Sequence, residues 1–218
     1  MKIINGWAFP DADFFMVSQM ANDGTYQKSH LDAAMRWVKK RGPMKLAIDG
    51  GAHVGAWSKF MAQDFEVLYS FEPSHDTFEA LTYNMRGVTN VHLRNQAIGA
   101  APGLIHMTLG DIMKNIEAKN TGARFIEEGE GSDIERITID SLELPALDFL
   151  KMDIEGSEPN ALAGARETLI KYKPIVLFED KNFWMRFGFS KRAPHEFLES
   201  IGAHHLERTQ MDEIWGWV

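Results

Sequence analysis

Three carboxylates, Asp153, Glu155 and Glu158, crowd into the run Leu150-Lys151-Met152-Asp153-Ile154-Glu155-Gly156-Ser157-Glu158, where an apolar strand-like stretch gives way to a helical pattern. An acid at the carboxyl end of a strand lies on the rim where open α/β sheets bind ligands. Asp153 could there act as a general base, or join a divalent ion that lowers the pKa of a bound hydroxyl. An oxygen-rich ligand set suits magnesium or calcium rather than zinc. Lys151 points to the same side of the strand as Asp153, where it could neutralise the acids or touch substrate. Asp153, Lys151 and Glu155 are therefore the candidate catalytic residues. Glu158 has a second reading, because an acid in the first turn of a helix stabilises the helix dipole.

A second constellation precedes it. Ile48-Asp49-Gly50-Gly51-Ala52-His53-Val54-Gly55 closes one apolar run and opens a helical pattern. Strand, glycine turn and helix N-terminus in that order bring a backbone close to a nucleotide-like ligand. Glu72 ends the next strand-like run, where a carboxylate can accept hydrogen bonds from both ribose hydroxyls. A phosphate resting over the glycines would be repelled by Asp49, so the ligand expected here carries none. S-adenosylmethionine fits: it offers a ribose to Glu72 and a sulfonium cation that tolerates acids. Gly51 and Gly55 would admit its amino acid end, and Asp49 would hold the ammonium. The plainer alternative is a tight turn with Asp49 capping the helix.

Further candidates are single residues. Glu179 and Asp180 close a later strand at the same rim. Of the eight histidines, His30, His53 and His195 lie near element ends, where a base titrating near neutrality could serve. Tyr26 and Gln27 precede the first long helix and could close over a cofactor. Trp7, Phe9, Phe14 and Phe15 read as core packing; Phe183, Trp184, Phe187 and Phe189 have the better claim to substrate contact.

These residues need a scaffold, and the pattern supplies one. A helix is expected over residues 30–40, with Leu31, Ala34, Met35 and Val38 on one face, placed over the sheet edge. Strand and helix then alternate: strand 44–49, helix 54–63, strand 66–72, helix 75–85, strand 91–98. After an added strand (103–109), a long loop (110–133) and a strand (134–139), the alternation resumes with strand 147–154, helix 158–171, strand 174–180 and helix 194–201. Such alternation means a mostly parallel sheet with helices on both faces. Two short strands, 204–209 and 213–218, are close enough to form a C-terminal antiparallel hairpin. Residues 1–43 are expected to form a helical cap, and 44–218 the ligand-binding domain.

Bulk properties narrow the function. With 218 residues, 44% of them hydrophobic, the chain suits one packed α/β domain. No apolar stretch is long enough for a membrane span and the N-terminus lacks a signal-peptide core. No cysteine is present, which removes disulfides and thiolate chemistry and is compatible with the cytoplasm. A formal net charge of -8 argues against a nucleic-acid partner.

Asp49-Gly50-Gly51-Ala52-His53-Val54-Gly55, Phe71-Glu72-Pro73, Asn95-Gln96-Ala97-Ile98-Gly99 and the Leu150–Glu158 run, preceded by Ile139-Asp140-Ser141-Leu142, stand in an order that resembles FkbM-type S-adenosylmethionine-dependent methyltransferases. The resemblance covers residues 44–180 and includes Asn120-Thr121-Gly122-Ala123, to which no role is assigned. It implies a class I methyltransferase, Rossmann-like fold of seven strands, the last antiparallel. It also implies O-methylation of a hydroxyl on a small molecule or saccharide. By the same resemblance Asn95 or Gln96 would meet the adenine amine, an amide where most relatives of the fold have an acid. The expected cofactor-binding set is Asp49, Gly50, Gly51, Ala52, Gly55, Glu72, Asn95, Gln96 and Asp153. The competing readings are a nicotinamide-dependent oxidoreductase and a non-catalytic cofactor-binding module.

Overall fold

A computed structural model describes residues 1–20, 24–109, 121–127 and 133–217; most of the loop expected at 110–133 lies outside the described residues. The N-terminal segment is only partly helical. It opens with a hairpin of β1 (Lys2–Ile4) and β2 (Trp7–Phe9), followed by α1 (Phe15–Gln19) and α2 (Lys28–Arg41). Strand and helix then alternate through β3 (Leu46–Gly50), α3 (Ala56–Asp64), β4 (Val67–Phe71), α4 (His75–Asn84) and β5 (Val91–Arg94). A smaller sheet intervenes, from β6 (Ala97–Ile98), β7 (Gly103–Leu109), β8 (Arg124–Glu127) and β9 (Ile134–Ile137). The main alternation resumes with β10 (Phe149–Met152), α5 (Glu158–Ala163), α6 (Arg166–Tyr172), β11 (Ile175–Glu179), α7 (Ala193–Ser200), β12 (His204–Thr209) and β13 (Asp212–Gly216).

The main sheet runs β12-β13-β11-β10-β3-β4-β5, and β13 is antiparallel to both its neighbours. The expected C-terminal hairpin is present, and its returning strand inserts between β11 and β12. The chain leaves β3 for β4 on one side and later fills the other side with β10. This reversal at β3 opens a crevice at the carboxyl ends of β3 and β10.

Burial on both faces explains why β3, β10 and β11 read as continuous apolar runs. Alternation sends Ile48, Leu150, Met152, Val176 and Phe178 to one face, against Leu162, Leu169 and Leu198. Ala47, Phe149, Ile175 and Leu177 go to the other, against Leu31, Ala34, Met35 and Val38 of α2. Helix α2 therefore lies over the interior of the sheet rather than its edge, because it packs on β11, an interior strand.

Two expected elements are divided. The strand expected over 91–98 breaks at Asn95, whose Nδ2 donates to the carbonyls of Glu72 and Pro73 at 2.8 and 2.9 Å. The chain beyond leaves the main sheet to pair with β9. The helix expected over 158–171 breaks at Gly164, where a Cβ would stand 2.0 Å from the Gly99 carbonyl oxygen; close packing against that carbonyl outweighs helical continuity.

Candidate functional site

The crevice over β3 and β10 is a cavity with about 1190 Å³ of empty space, its open mouth included. Gly51, Ala52 and His53 border it on the glycine turn, Glu72 on the end of β4, and Lys151, Asp153 and Glu155 around the end of β10. Gln96, Ile98, Met107 and Ile126 form an apolar slot with one amide; Phe15, Tyr26, Gln27 and Trp57 come from the N-terminal segment and α3.

Glu72 is fixed from behind. Its Oε2 accepts from the His53 N–H at 3.0 Å and its Oε1 from the Ser74 N–H at 2.9 Å, leaving further lone pairs toward the cavity. Burial pushes its pKa up to about 7 against those two hydrogen bonds. Asn95 does not border the cavity: it braces the Glu72-Pro73 backbone, and its Oδ1 accepts from His75 Nδ1 at 2.5 Å. Gln96 does border it, its amide donating to Glu135 at 2.5 Å.

Asp49 is fully buried and its carboxylate points away from the cavity wall. Lys151 Nζ stands 2.9 Å from Asp49 Oδ1, and the Ser58 hydroxyl donates to Oδ2 at 2.6 Å. Lys151 also donates to the carbonyls of Gly50 at 3.2 Å and Gly51 at 2.7 Å. The ion pair thus clamps the glycine turn from beneath. Protein contacts require two of the glycines: at Gly51, with φ +73°, a Cβ would lie 1.8 Å from the Asp153 carbonyl oxygen, and at Gly55 one would lie 2.7 Å from Leu81. Gly50 and Gly55 do not line the cavity. Glu158 likewise turns inward, its Oε1 accepting from Ile154 and Gly156 N–H groups at 3.1 and 3.3 Å, so it supports the turn that presents Asp153 and Glu155.

The far end of the cavity is acidic. Asp153, Glu155 and Glu179 bring carboxylate oxygens within 4.8 Å of one another. Burial and then Asp153 push Glu155 up to about 8 and Glu179 up to about 9. Lys181, 2.6 Å from Glu179, stands as the counter-charge, and Glu179 and Glu155 hold its pKa up against burial. Sequence reading passed over this lysine, although it directly follows the strand end. Burial and the carboxylates of Asp153, Glu179 and Asp212 together raise the Tyr26 phenol as well.

These raised carboxyls set a pH dependence. A folded pKa above the unfolded value means that the folded chain holds protons the unfolded chain releases, so stability is lost as pH rises. Thermal unfolding of the ligand-free protein is expected to fall steadily in midpoint between about pH 5 and about pH 9, through the raised values of Glu72, Glu155 and Glu179. Glu179→Gln should flatten the upper part of that fall; an unchanged slope would show that the acids are not strained in the empty site.

His53 joins three distant segments. Its Nε2 is 3.0 Å from Thr121 Oγ1 and 3.3 Å from Asp13 Oδ2, and the Thr121 hydroxyl donates to Asp13 at 2.7 Å. Asp13 had no local signal, since its partners are remote in sequence, and Thr121 stood only within Asn120-Thr121-Gly122-Ala123, a stretch without an assigned role. His30 forms a buried pair with Asp212 at 2.6 Å and does not line the cavity. Phe9 and Trp184 are core residues, whereas Phe15 reaches the crevice. Asp180 and His195 line a second cavity. Among the described residues, no helix is long and apolar enough to cross a membrane.

Six parallel strands, one antiparallel strand beside the last, and a crevice at the point of reversal define a class I methyltransferase, Rossmann-like fold. The methyltransferase FkbM domain model matches residues 49–217, and the chain belongs to that family. Among solved structures it is similar to methyltransferase FkbM from Methylobacillus flagellatus KT, at 19% identity and a TM-score of 0.49, over 81% of this chain and 44% of that one. The chain thus spans less than half the length of that relative. It shares its fold with precorrin 8w decarboxylase from Methanobacterium thermoautotrophicum, at 12% identity and a TM-score of 0.51 over the whole of both chains. The precorrin-6y C5,15-methyltransferase from Geobacter metallireducens GS-15 is similar at 12% identity and 0.51, over 90% of this chain and 92% of that one. No curated protein sequence matches.

Proposed function

We propose that the protein transfers the methyl group of S-adenosylmethionine to a hydroxyl of a small molecule or saccharide. The observation that carries this reading is a single cavity with Glu72 held at one end by two backbone N–H groups and three carboxylates at the other. The cofactor ribose would meet Glu72. The adenine would enter the slot of Ile98, Met107 and Ile126 with Gln96 at its edge, and the amino acid end would lie along Gly51, Ala52 and His53. A dinucleotide fits less well, because its pyrophosphate would approach the carboxylates of Asp153, Glu155 and Glu179.

Transfer from sulfonium to oxygen is an in-line displacement, so alignment contributes most and removal of the hydroxyl proton assists. Asp153 would take that proton, with Glu155 and Glu179 beside it and Lys181 balancing the charge. The three carboxylates would also suit a hard divalent ion such as magnesium, which would lower the hydroxyl pKa. Residues 1–43 would cap the site through Phe15, Tyr26 and Gln27, with 44–218 as the cofactor-binding domain. A cytoplasmic location accords with a cysteine-free chain.

Calorimetric titration tests the cofactor half. S-adenosylmethionine and S-adenosylhomocysteine should bind, and Glu72→Ala should weaken both at least about tenfold, the loss of one charge-assisted hydrogen bond. NAD should not bind. Binding of NAD alone, or of neither adenosyl ligand, would overturn the proposal.

A further inference from the structure

Beyond the end of β11 the chain divides its acids between two cavities: Glu179 borders the cofactor crevice, and Asp180 borders a second one beside α7 and the β12–β13 hairpin. Asp180, His195 and Glu213 bring one ligand atom each within 4.8 Å of one another there. Their side chains are 10%, 13% and 5% exposed. Among the described residues, Asp180 Oδ1 and His195 Nδ1 are buried without a hydrogen-bond partner, and so are Asn182 Oδ1 and Trp215 Nε1 on the same cavity.

Buried polar atoms nearly always find partners, so four orphans around one cavity call for an occupant the chain does not supply. Asp180 and Asn182 offer oxygen lone pairs. His195 offers a nitrogen lone pair, its Nδ1 being buried without a partner among the described residues. Ligand atoms that Asp180, His195 and Glu213 gather from three parts of the chain are satisfied together by a cation. A water bound to that cation would accept from the Trp215 N–H, a residue only 3% exposed. We propose that Asp180, His195 and Glu213 bind a divalent transition-metal ion of zinc's class, at a site separate from the cofactor crevice. One imidazole and two carboxylates are zinc ligands, and a chain without cysteine has no thiolates to draw the ion elsewhere.

A resident cation now stands there. Arg208 Nη1 lies 2.7 Å from Glu213 and 3.4 Å from Asp180, and His205 Nε2 lies 2.6 Å from Glu213. Arg192 on the same wall is answered by Glu199 at 2.8 Å, while Lys191 adds a positive charge. Arg208 is 51% exposed and also donates to the Gln210 carbonyl at 3.2 Å, so the ion would have to displace it toward solvent, and His205, 46% exposed, could turn onto the ion as a further ligand. The ion would tie the end of β11 to α7 and the final strand.

The test is calorimetric titration of the tag-free, chelator-stripped full chain with zinc chloride. One ion per chain should bind and raise the unfolding temperature. His195→Ala and Glu213→Gln should each weaken binding by about 100-fold or more, beyond what loss of an outer-shell partner brings. Arg208→Ala should tighten it, an effect no structural ion pair would give, and this variant carries the test if His195→Ala does not fold. Glu155→Gln should leave binding unchanged. Absence of stoichiometric uptake, uptake indifferent to His195→Ala, or loss through Glu155→Gln would each overturn the proposal.

Discussion

Asp153→Asn is expected to lower kcat by about 10²–10⁴-fold, the usual range for loss of a general base, with S-adenosylhomocysteine affinity held within about threefold. Backbone and side chain of Asp153 do separate work. Its N–H donates to the Gly50 carbonyl at 3.1 Å and its own carbonyl packs where a Gly51 side chain would otherwise be. Neither contact changes in the isosteric variant. The carboxylate borders the crevice beside Glu155 and Glu179, so on the proposed function its substitution is expected to act on chemistry rather than on the turn. Steady-state methyl transfer, once an acceptor is in hand, checks this. Unaltered kcat in Asp153→Asn would pass the role of base to Glu155 or Glu179, or leave alignment alone as the source of rate.

Lys151→Met should destabilise the fold by about 3–5 kcal/mol, because it strands the Asp49 carboxylate without its counter-charge in a dry interior. Both members are almost wholly buried, at 6% and 0% exposure, so solvent screens little of the interaction. At the sensitivity of a chain this long, the midpoint of thermal unfolding would fall by about 10 °C. The cofactor site should suffer too, since Lys151 holds the carbonyls of Gly50 and Gly51 in place. The double variant Asp49→Leu, Lys151→Met removes both charges together and should recover much of the lost stability, as apolar replacements of buried pairs often do. Urea unfolding of the three proteins decides it. A single variant within about 1 kcal/mol of the parent would mean that water reaches the pair, contrary to its burial.

Much of the scaffold was legible because hydrophobic periodicity is local. The runs that became β3, β10 and β11 are apolar but for one charged residue each, Asp49, Lys151 and Glu179, and the stripe Leu31, Ala34, Met35 and Val38 marks α2. Glu72, Gln96, Asp153, Glu155 and Glu179 were found on the crevice because a position at the end of a strand implies a position on the rim. The breaks at Asn95 and Gly164 were not legible: each is set by a remote partner, the Glu72-Pro73 carbonyls in one case and the Gly99 carbonyl in the other.

The sequence by itself therefore determined the order of elements, the class of sheet and the set of rim positions, all properties that follow from spacing along the chain. Tertiary structure alone decided which way each polar group faces and what it meets. Asp49 and Glu158, two acids in the motifs that bracket the site, turned inward to Lys151 and to the backbone of Ile154 and Gly156. His53, Thr121 and Asp13, from three separate stretches, met at one hydrogen-bonded corner. The reason is energetic: a buried charge or hydrogen-bonding group must find its partner wherever the fold brings one, and that partner is rarely a neighbour in sequence.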